Sequence, residues 1–349
     1  MNTTNTTNTT STTNTVETKR ATCILVIGAN GQIGTELVQA LAQQQGAQAV
    51  ISSDIAPKAR PEIERLGVRH VALDATDAQA LQAVVERFAV TQVYLLAAAL
   101  SARAEQHPTW AWDLNMKSLL NVLELARSHQ LRVFWPSSIA AFGPSSPKVM
   151  TPQSTAMDPT SVYGISKLAG EGWCAWYHRT HGVDVRSLRY PGLISWKTPP
   201  GGGTTDYAVE IFHAALTRGH YTSFLAADTA LPMMYMPDAI RATLALMDAP
   251  AERILQRGAY NLAGVSFTPA QIAQSIARQV PGFDIDYWPD FRQAIADSWP
   301  QSIDDQVASQ DWGWKARYDL DAMVHDMLDH LRPLLAPPVG HLHQLRQAA

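Results

Sequence analysis

Tyr163-Gly164-Ile165-Ser166-Lys167 sets a phenol and an amine four residues apart, on one face of a helix. Ser137-Ser138 lies upstream, with Ser138 25 residues before Tyr163. These side-chain types suit the oxidation of a secondary alcohol, in which a base takes the hydroxyl proton as hydride leaves the carbinol carbon. A free tyrosine, with a pKa of about 10, is a poor base at neutral pH. A neighbouring ammonium favours the phenolate and makes it a better one. A serine hydroxyl can hold the substrate oxygen and stabilise its developing charge. A tyrosine and lysine at this spacing also occur as an ordinary surface pair. Here they accompany the serine pair and a glycine loop in the order such chemistry needs.

That loop is Gly28-Ala29-Asn30-Gly31-Gln32-Ile33-Gly34, a Gly-x-x-Gly-x-x-Gly spacing between a strand and a helix. Glycines let the chain turn sharply and let a pyrophosphate approach the backbone, while the helix N-terminus offers N–H groups and a positive dipole end. Asp54 stands at the end of the next strand, 20 residues past Gly34. A carboxylate there accepts hydrogen bonds from the adenosine ribose hydroxyls and repels a 2′-phosphate, so NAD is expected rather than NADP. Asp74-Ala75, after the third strand, is placed to meet adenine, and Asp74 reads equally well as a turn or helix-start aspartate.

The elements that must carry these groups alternate. Strands are expected at Thr22–Ile27, Ala49–Ser52, Arg69–Ala72, Gln92–Leu96, Arg132–Trp135 and Val183–Leu188, and helices at Gln32–Gln45, Asp77–Phe88, Ala111–Ser128 and Tyr163–His178. Strands separated by helices of this length predict crossover units and an α/β, Rossmann-type doubly wound parallel sheet over residues 21–191. After Pro191 the rhythm breaks into a Pro/Gly-rich stretch. Helices near Tyr207–Thr217, Pro237–Met247, Pro269–Gln279 and Asp319–Leu335 and strands near Gly258–Leu262 and Asp284–Tyr287 then predict a smaller C-terminal α/β cap. The cap spans mainly 192–337, with later segments completing part of the first sheet. Residues 1–20, nearly all Thr, Asn and Ser at the start, and residues 338–349 are expected to be tails.

Composition narrows the classes. Lys and Arg number 27 against 31 Asp and Glu, a formal charge of −4, which argues against a nucleic-acid partner. No apolar run reaches the roughly 18 residues of a membrane helix. Cys23 and Cys174 form neither a disulfide framework nor metal-ligand spacing, so the cytoplasm is the expected compartment. The 11 histidines show no paired-ligand spacing, and no catalytic metal is expected. Trp173 and Trp176, at helical spacing, are expected to pack.

Between Pro191 and the next helix, Gly201-Gly202-Gly203 precedes Thr204-Thr205-Asp206. Three glycines before a helix can form a nest of N–H groups that seats a small carboxylate, with a threonine capping the helix. A flexible loop with an N-cap threonine is the plainer reading.

The ordered arrangement from Thr22 to Leu335 resembles the extended short-chain dehydrogenase/reductase superfamily. That resemblance places Leu96-Ala97-Ala98-Ala99 beneath the nicotinamide half of the cofactor, with Asn115, Ser137 and Tyr190-Pro191 also lining it and Lys167 holding the nicotinamide ribose. It makes Ser138 the active hydroxyl. The stretch PGGGTTDYAVEIF, followed by Leu231-Pro232-Met233-Met234-Tyr235-Met236, and the late Ser298-Trp299-Pro300 and Asp311-Trp312-Gly313-Trp314, is similar to the short-chain L-threonine 3-dehydrogenase family. This likeness implies oxidation of the L-threonine β-hydroxyl with NAD to 2-amino-3-ketobutyrate. Ser101, Ser138, Tyr163, Gly203 and Thr204 would surround the substrate, and Trp299 would close the pocket. It also implies a homodimer through the two long helices. Ala102-Arg103 departs from the small, uncharged neighbours expected after Ser101. Arg189, at a strand end, could bridge sheet to cap or order the substrate loop. A nucleotide-sugar epimerase or dehydratase uses the same parts and remains the nearest alternative. A non-catalytic NAD-sensing protein is the alternative of another class.

Overall fold

The computed structural model describes residues 21–199 and 203–335. Both expected tails and two glycines of the triple run, Gly201 and Gly202, lie outside the described residues. The chain forms an α/β fold. Short apolar runs that are buried on both faces make the first sheet, beginning with Ile24-Leu25-Val26-Ile27. Its strands are β1 (Ile24–Ile27), β2 (Val50–Asp54), β3 (Arg69–Ala72), β4 (Gln92–Leu95) and β5 (Arg132–Phe134); β6 (Ser137–Ser138) follows, and β7 (Asp184–Arg186) completes the sheet. Six of them run parallel in the order β3-β2-β1-β4-β5-β7.

Helices cover both faces of this sheet. In chain order they are α1 (Gln32–Gln45), α2 (Pro61–Glu64), α3 (Ala78–Arg87), α4 (Ser101–Gln106), α5 (Pro108–His129) and α6 (Val162–His181). Leu81 of α3, Leu119 and Leu123 of α5 and Cys174 of α6 pack on one face. Leu37, Val38 and Leu41 of α1 pack on the other. The long helices begin and end where their caps dictate. Pro108 opens α5, since its missing N–H is unneeded there. Ser161 accepts from the Gly164 N–H to start α6, and left-handed Gly182 ends it. Both helices therefore run longer than apolar periodicity suggests. The short helix α4, absent from the sequence reading, begins at Ser101.

The strand expected over 183–188 divides. β7 pairs with β5, but Pro136 has no N–H to continue the ladder, and β8 (Leu188–Tyr190) pairs instead with β6 and with β12 (Tyr260–Asn261). The chain then enters the cap through β9 (Gly192–Ile194), α7 (Tyr207–Thr217), β10 (His220–Ser223) and β11 (Leu231–Tyr235). It returns to the first sheet with α8 (Met236–Asp248), whose Ala239 and Leu246 share a core with α1. Beyond β12 come β13 (Val265–Phe267), α9 (Pro269–Ala277), β14 (Asp284–Tyr287), α10 (Arg292–Ser298), α11 (Gln306–Trp312) and α12 (Leu320–Leu335). A second core unites α7, α9, α10 and α12 over β9, β11 and β13, and it includes Ile139, Ala140 and Phe142 from the segment after Ser138. The cap thus rests directly on the residues next to the expected reaction centre. Among the described residues no helix is long and apolar enough to cross a membrane.

Candidate active site

At the carboxyl end of β1 the chain turns through left-handed Gly28, with φ of 84°. A Cβ there would lie 2.6 Å from the Ala97 nitrogen, and one on Gly34 would lie 2.3 Å from the Gly28 carbonyl oxygen. No side chain fits at either place, so the loop closes tightly against the end of β4. Gly31 caps α1 without a side-chain hydrogen bond, and Gln32 and Ile33 make its first turn. The site therefore has a bare helix N-terminus suited to a pyrophosphate. Asp54 stands beside it, its carboxylate accepting from the N–H groups of Asn30 at 3.1 Å and Ala56 at 3.2 Å. Those bonds fix the carboxylate at the mouth of the loop. These features fit a dinucleotide with free ribose hydroxyls.

The remaining cofactor-side residues differ in what they present. Leu96 and Ala97 both donate their N–H to the Ile27 carbonyl, which aligns the run through Ala98 toward α4. Asp74 is exposed and accepts from the N–H and hydroxyl of Thr76, the turn role allowed for it above. The Ala75 carbonyl accepts from Asn121. Asn115 is buried; its Oδ1 accepts from the Ala99 N–H at 2.7 Å and its amide donates to Ser166 at 3.1 Å. It positions the strand-end run against α6. Tyr190 turns its ring into the core beside Phe134 and hydrogen-bonds Thr243, so the strand end at Tyr190-Pro191 has only Pro191 and backbone to offer a ligand.

The reaction centre forms where α6 passes β6. Ser138 Oγ accepts from the Ala140 N–H at 3.2 Å and neighbours the Tyr163 phenol. Burial pushes that phenol up to about 12, and the Ser138 hydroxyl pulls it down. Lys167 is buried, with Nζ donating to the Pro136 carbonyl at 2.6 Å and lying 5.4 Å from the centre of the Tyr163 ring and 4.6 Å from that of Trp135. Burial pushes this amine down to about 7, and the neighbouring Cys174 and Glu171 pull it upward. Burial also raises the Cys174 thiol, which stays neutral at pH 7.

The Ser137 hydroxyl, expected on the cofactor side, donates to Glu171 Oε1 at 2.5 Å inside the protein. Glu171 in turn pairs with Arg189, whose Nε and Nη2 donate at 2.9 Å and 2.8 Å. Arg189 also reaches the Gln153 carbonyl and Asn261, and Asn261 binds the carbonyls of Thr151 and Asp304. Of its two readings, bridging sheet to cap is the one the contacts support. Glu171 went unremarked in the sequence, although it falls four residues past Lys167 on the same helical face.

On the cap side, the Gly203 N–H donates to the Asp206 carboxylate at 2.7 Å. It is not free for a substrate carboxylate. Asp206 rather than a threonine occupies the α7 N-cap, and Thr204 is buried. Trp299 is buried at the end of α10 in the same core that Tyr163 packs against. It walls a cavity of about 220 Å³ with Lys148, Thr229, Gln293 and Gln301. Ser101 begins α4 after the strand-end run. Arg103, two residues past Ser101, is exposed and lies over the Trp110 ring at 4.6 Å on the outer surface. Glu36 of α1, missed in the sequence, is buried and accepts from Ser195 at 2.5 Å, with Lys197 at 3.4 Å. It ties the chain leaving β9 to the helix of the glycine loop. Among the described residues no cluster of His, Cys, Asp and Glu could hold a metal.

Comparison with known proteins places this geometry in context. The sequence model of the NAD dependent epimerase/dehydratase family matches residues 24–263. The chain is 66% identical to a GalE-like L-threonine dehydrogenase from Cupriavidus necator, solved in a holo form, with a TM-score of 0.86 and coverage of 88% of this chain and 99% of that one. It is 46% identical to a monomeric L-threonine 3-dehydrogenase from a metagenome, solved in an apo form, with a TM-score of 0.85 and coverage of 90% and 100%. An uncharacterized epimerase/dehydratase of Staphylococcus haemolyticus is 48% identical over 306 residues, 87% of this chain and 96% of its own length.

Proposed function

The chain belongs to the NAD-dependent epimerase/dehydratase family, and from that footing we propose that it oxidises the β-hydroxyl of L-threonine to 2-amino-3-ketobutyrate. The observation that carries the chemistry is Lys167, buried with its amine 5.4 Å from the centre of the Tyr163 ring, and Ser138 beside that phenol. The substrate follows from the likeness to proteins described as L-threonine dehydrogenases over nearly their whole length.

L-threonine would lie with its carboxylate at the Thr204 hydroxyl, Gly203 leaving room beside it, and its β-hydroxyl between Ser138 and Tyr163. Ser101 would face it from the strand-end run and Trp299 from the cap. NAD, when bound, supplies the hydride acceptor. Tyr163 takes the hydroxyl proton as the carbinol C–H bond breaks, and Ser138 holds the oxygen as it becomes a ketone. Lys167 supports the phenolate by its charge. Asp54 selects the free ribose, and the glycine loop holds the pyrophosphate.

The test is NADH formation with L-threonine, its allo diastereomer, L-serine and UDP-glucose assayed side by side. L-threonine should be oxidised fastest. Turnover or thermal protection by UDP-glucose alone would move the protein to nucleotide-sugar chemistry.

The homodimer stands on the α5–α6 face, which leaves Trp110, Trp112, Ile165, Trp173 and Trp176 partly exposed. Trp173 and Trp176 pack edge to face on each other while their outer surfaces stay open. Sedimentation at micromolar concentration should give twice the chain mass, and a single-chain mass would remove the dimer from the proposal.

A further inference from the structure

Glu171 touches neither cofactor nor substrate in the chemistry above, yet it is buried and holds three donors. Its Oε1 accepts from the Ser137 hydroxyl and Arg189 Nε, and its Oε2 accepts from Arg189 Nη2. Ser137 and Arg189 are register partners on neighbouring strands, as are Ser138 and Tyr190. One carboxylate thus pins β6 to β8 at the residue before Ser138, from the turn of α6 that follows Lys167. Stability alone is a weak reason for this arrangement, because buried ion pairs are often replaceable by apolar residues without loss.

We propose that Glu171 is a positioning residue for the reaction, fixing the strand that aims Ser138 and maintaining the charge of Lys167, with Arg189 holding the carboxylate in place. The proposal rests on the roles given to Ser138, Tyr163 and Lys167 above. The titratable and charged groups around Lys167 are Tyr163, Glu171 and Cys174 on its own helix. From the link between β5 and β6 come the Trp135 ring and the Pro136 carbonyl, with Arg189 behind Glu171. Among these, Glu171 is the one carboxyl, and it is held in an ion pair by Arg189 at 2.8 Å. Without its charge the amine loses its proton more readily, and the phenolate of Tyr163 loses its support.

The test uses the full chain with NAD. Protein carrying ¹³C at tyrosine Cζ reports the ionisation of Tyr163, assigned by its loss in Tyr163→Phe. Glu171→Gln should move the Tyr163 midpoint upward by about one pH unit and lower kcat about tenfold at neutral pH, with the KM for NAD changed less than about twofold. Ser137→Ala should lower kcat about threefold and leave the midpoint in place, since the charge remains. A folded Glu171→Gln protein with an unmoved midpoint overturns the proposal. Should that variant fail to fold because Arg189 is left unpaired, Glu171→Gln/Arg189→Gln is read in the same way, and again an unmoved midpoint overturns it. The resonance needs no substrate. A protein that leaves L-threonine untouched would therefore sink the substrate reading while this test still decides the role of Glu171.

Discussion

The two edges of the site are built by opposite means. At the cofactor edge the fit comes from missing side chains: Gly28 and Gly34 press so close to backbone that any Cβ would collide. At the catalytic edge it comes from side chains held by distant partners. Ser137 meets Glu171 34 residues away, and Arg189 meets Asn261 72 away. A backbone-built edge is local and rigid, and it tolerates nothing added. A side-chain-built edge is assembled only when the fold closes, and it can lose one member while keeping its shape. The two edges should therefore fail separately.

The sharpest separation is Tyr163→Phe. Removing the proton acceptor should lower turnover about 1,000-fold or more while NAD affinity, read by fluorescence titration, stays within about twofold of wild type. The pH profile belongs to the same experiment. The base acts as the phenolate, and burial holds the Tyr163 phenol up to about 12, so the wild-type rate should climb from pH 6 toward pH 9 as the ionised fraction grows. Residual activity of the variant should lack that climb. A profile equally steep in both would mean another group is the base.

Gly34→Ala attacks the other edge. Its Cβ would come within 2.3 Å of the Gly28 oxygen and 2.7 Å of the Ala29 Cα, so the loop must shift. Overpacking of this kind costs about 1–3 kcal/mol, enough to weaken NAD binding about tenfold to 100-fold. If NAD affinity held while turnover collapsed, the division between the edges would be wrong.

Asp54→Asn probes a side chain on which the backbone edge relies. Its carboxylate is oriented by two N–H groups and carries the discrimination between ribose and ribose phosphate. Loss of the charge should narrow the NAD-over-NADP preference in kcat/KM about tenfold. An unchanged preference would assign selectivity to another element of the 54–60 loop.

The same division explains what could be read from sequence. The glycine spacing, Asp54 and the alternation of strands and helices are local patterns, and α7 and β14 have the very bounds that periodicity gives. The residue types at the reaction centre were also legible, because Tyr163, Lys167 and the serine pair announce their chemistry by spacing. Their neighbours' orientations were not. Ser137 and Ser138 are alike in residue type, and where the resemblance names Ser138, the approach of α6 turns Ser137 to Glu171 and leaves Ser138 beside Tyr163. Tyr190 read as a cofactor contact until the packing of α8 supplied Thr243 for its hydroxyl. Gly203 read as a free donor, but the turn into α7 directs its N–H to Asp206. The break between β7 and β8 needed the knowledge that Pro136 would be the strand's neighbour.

Arg103 should produce the smallest effect and sets the boundary of the catalytic edge. It departs from the uncharged sequence expected beside Ser101, and a cation there could seat a substrate carboxylate. Its guanidinium lies instead over the exposed Trp110 ring, an arrangement worth about 0.5–1 kcal/mol at an open site. Arg103→Ala should therefore change the KM for L-threonine by less than about twofold and leave kcat and NAD affinity unaltered. A tenfold rise in that KM alone would show that the side chain swings inward when substrate binds. The carboxylate seat would then lie on α4 as well as at Thr204, and the catalytic edge would extend onto the first domain's own surface.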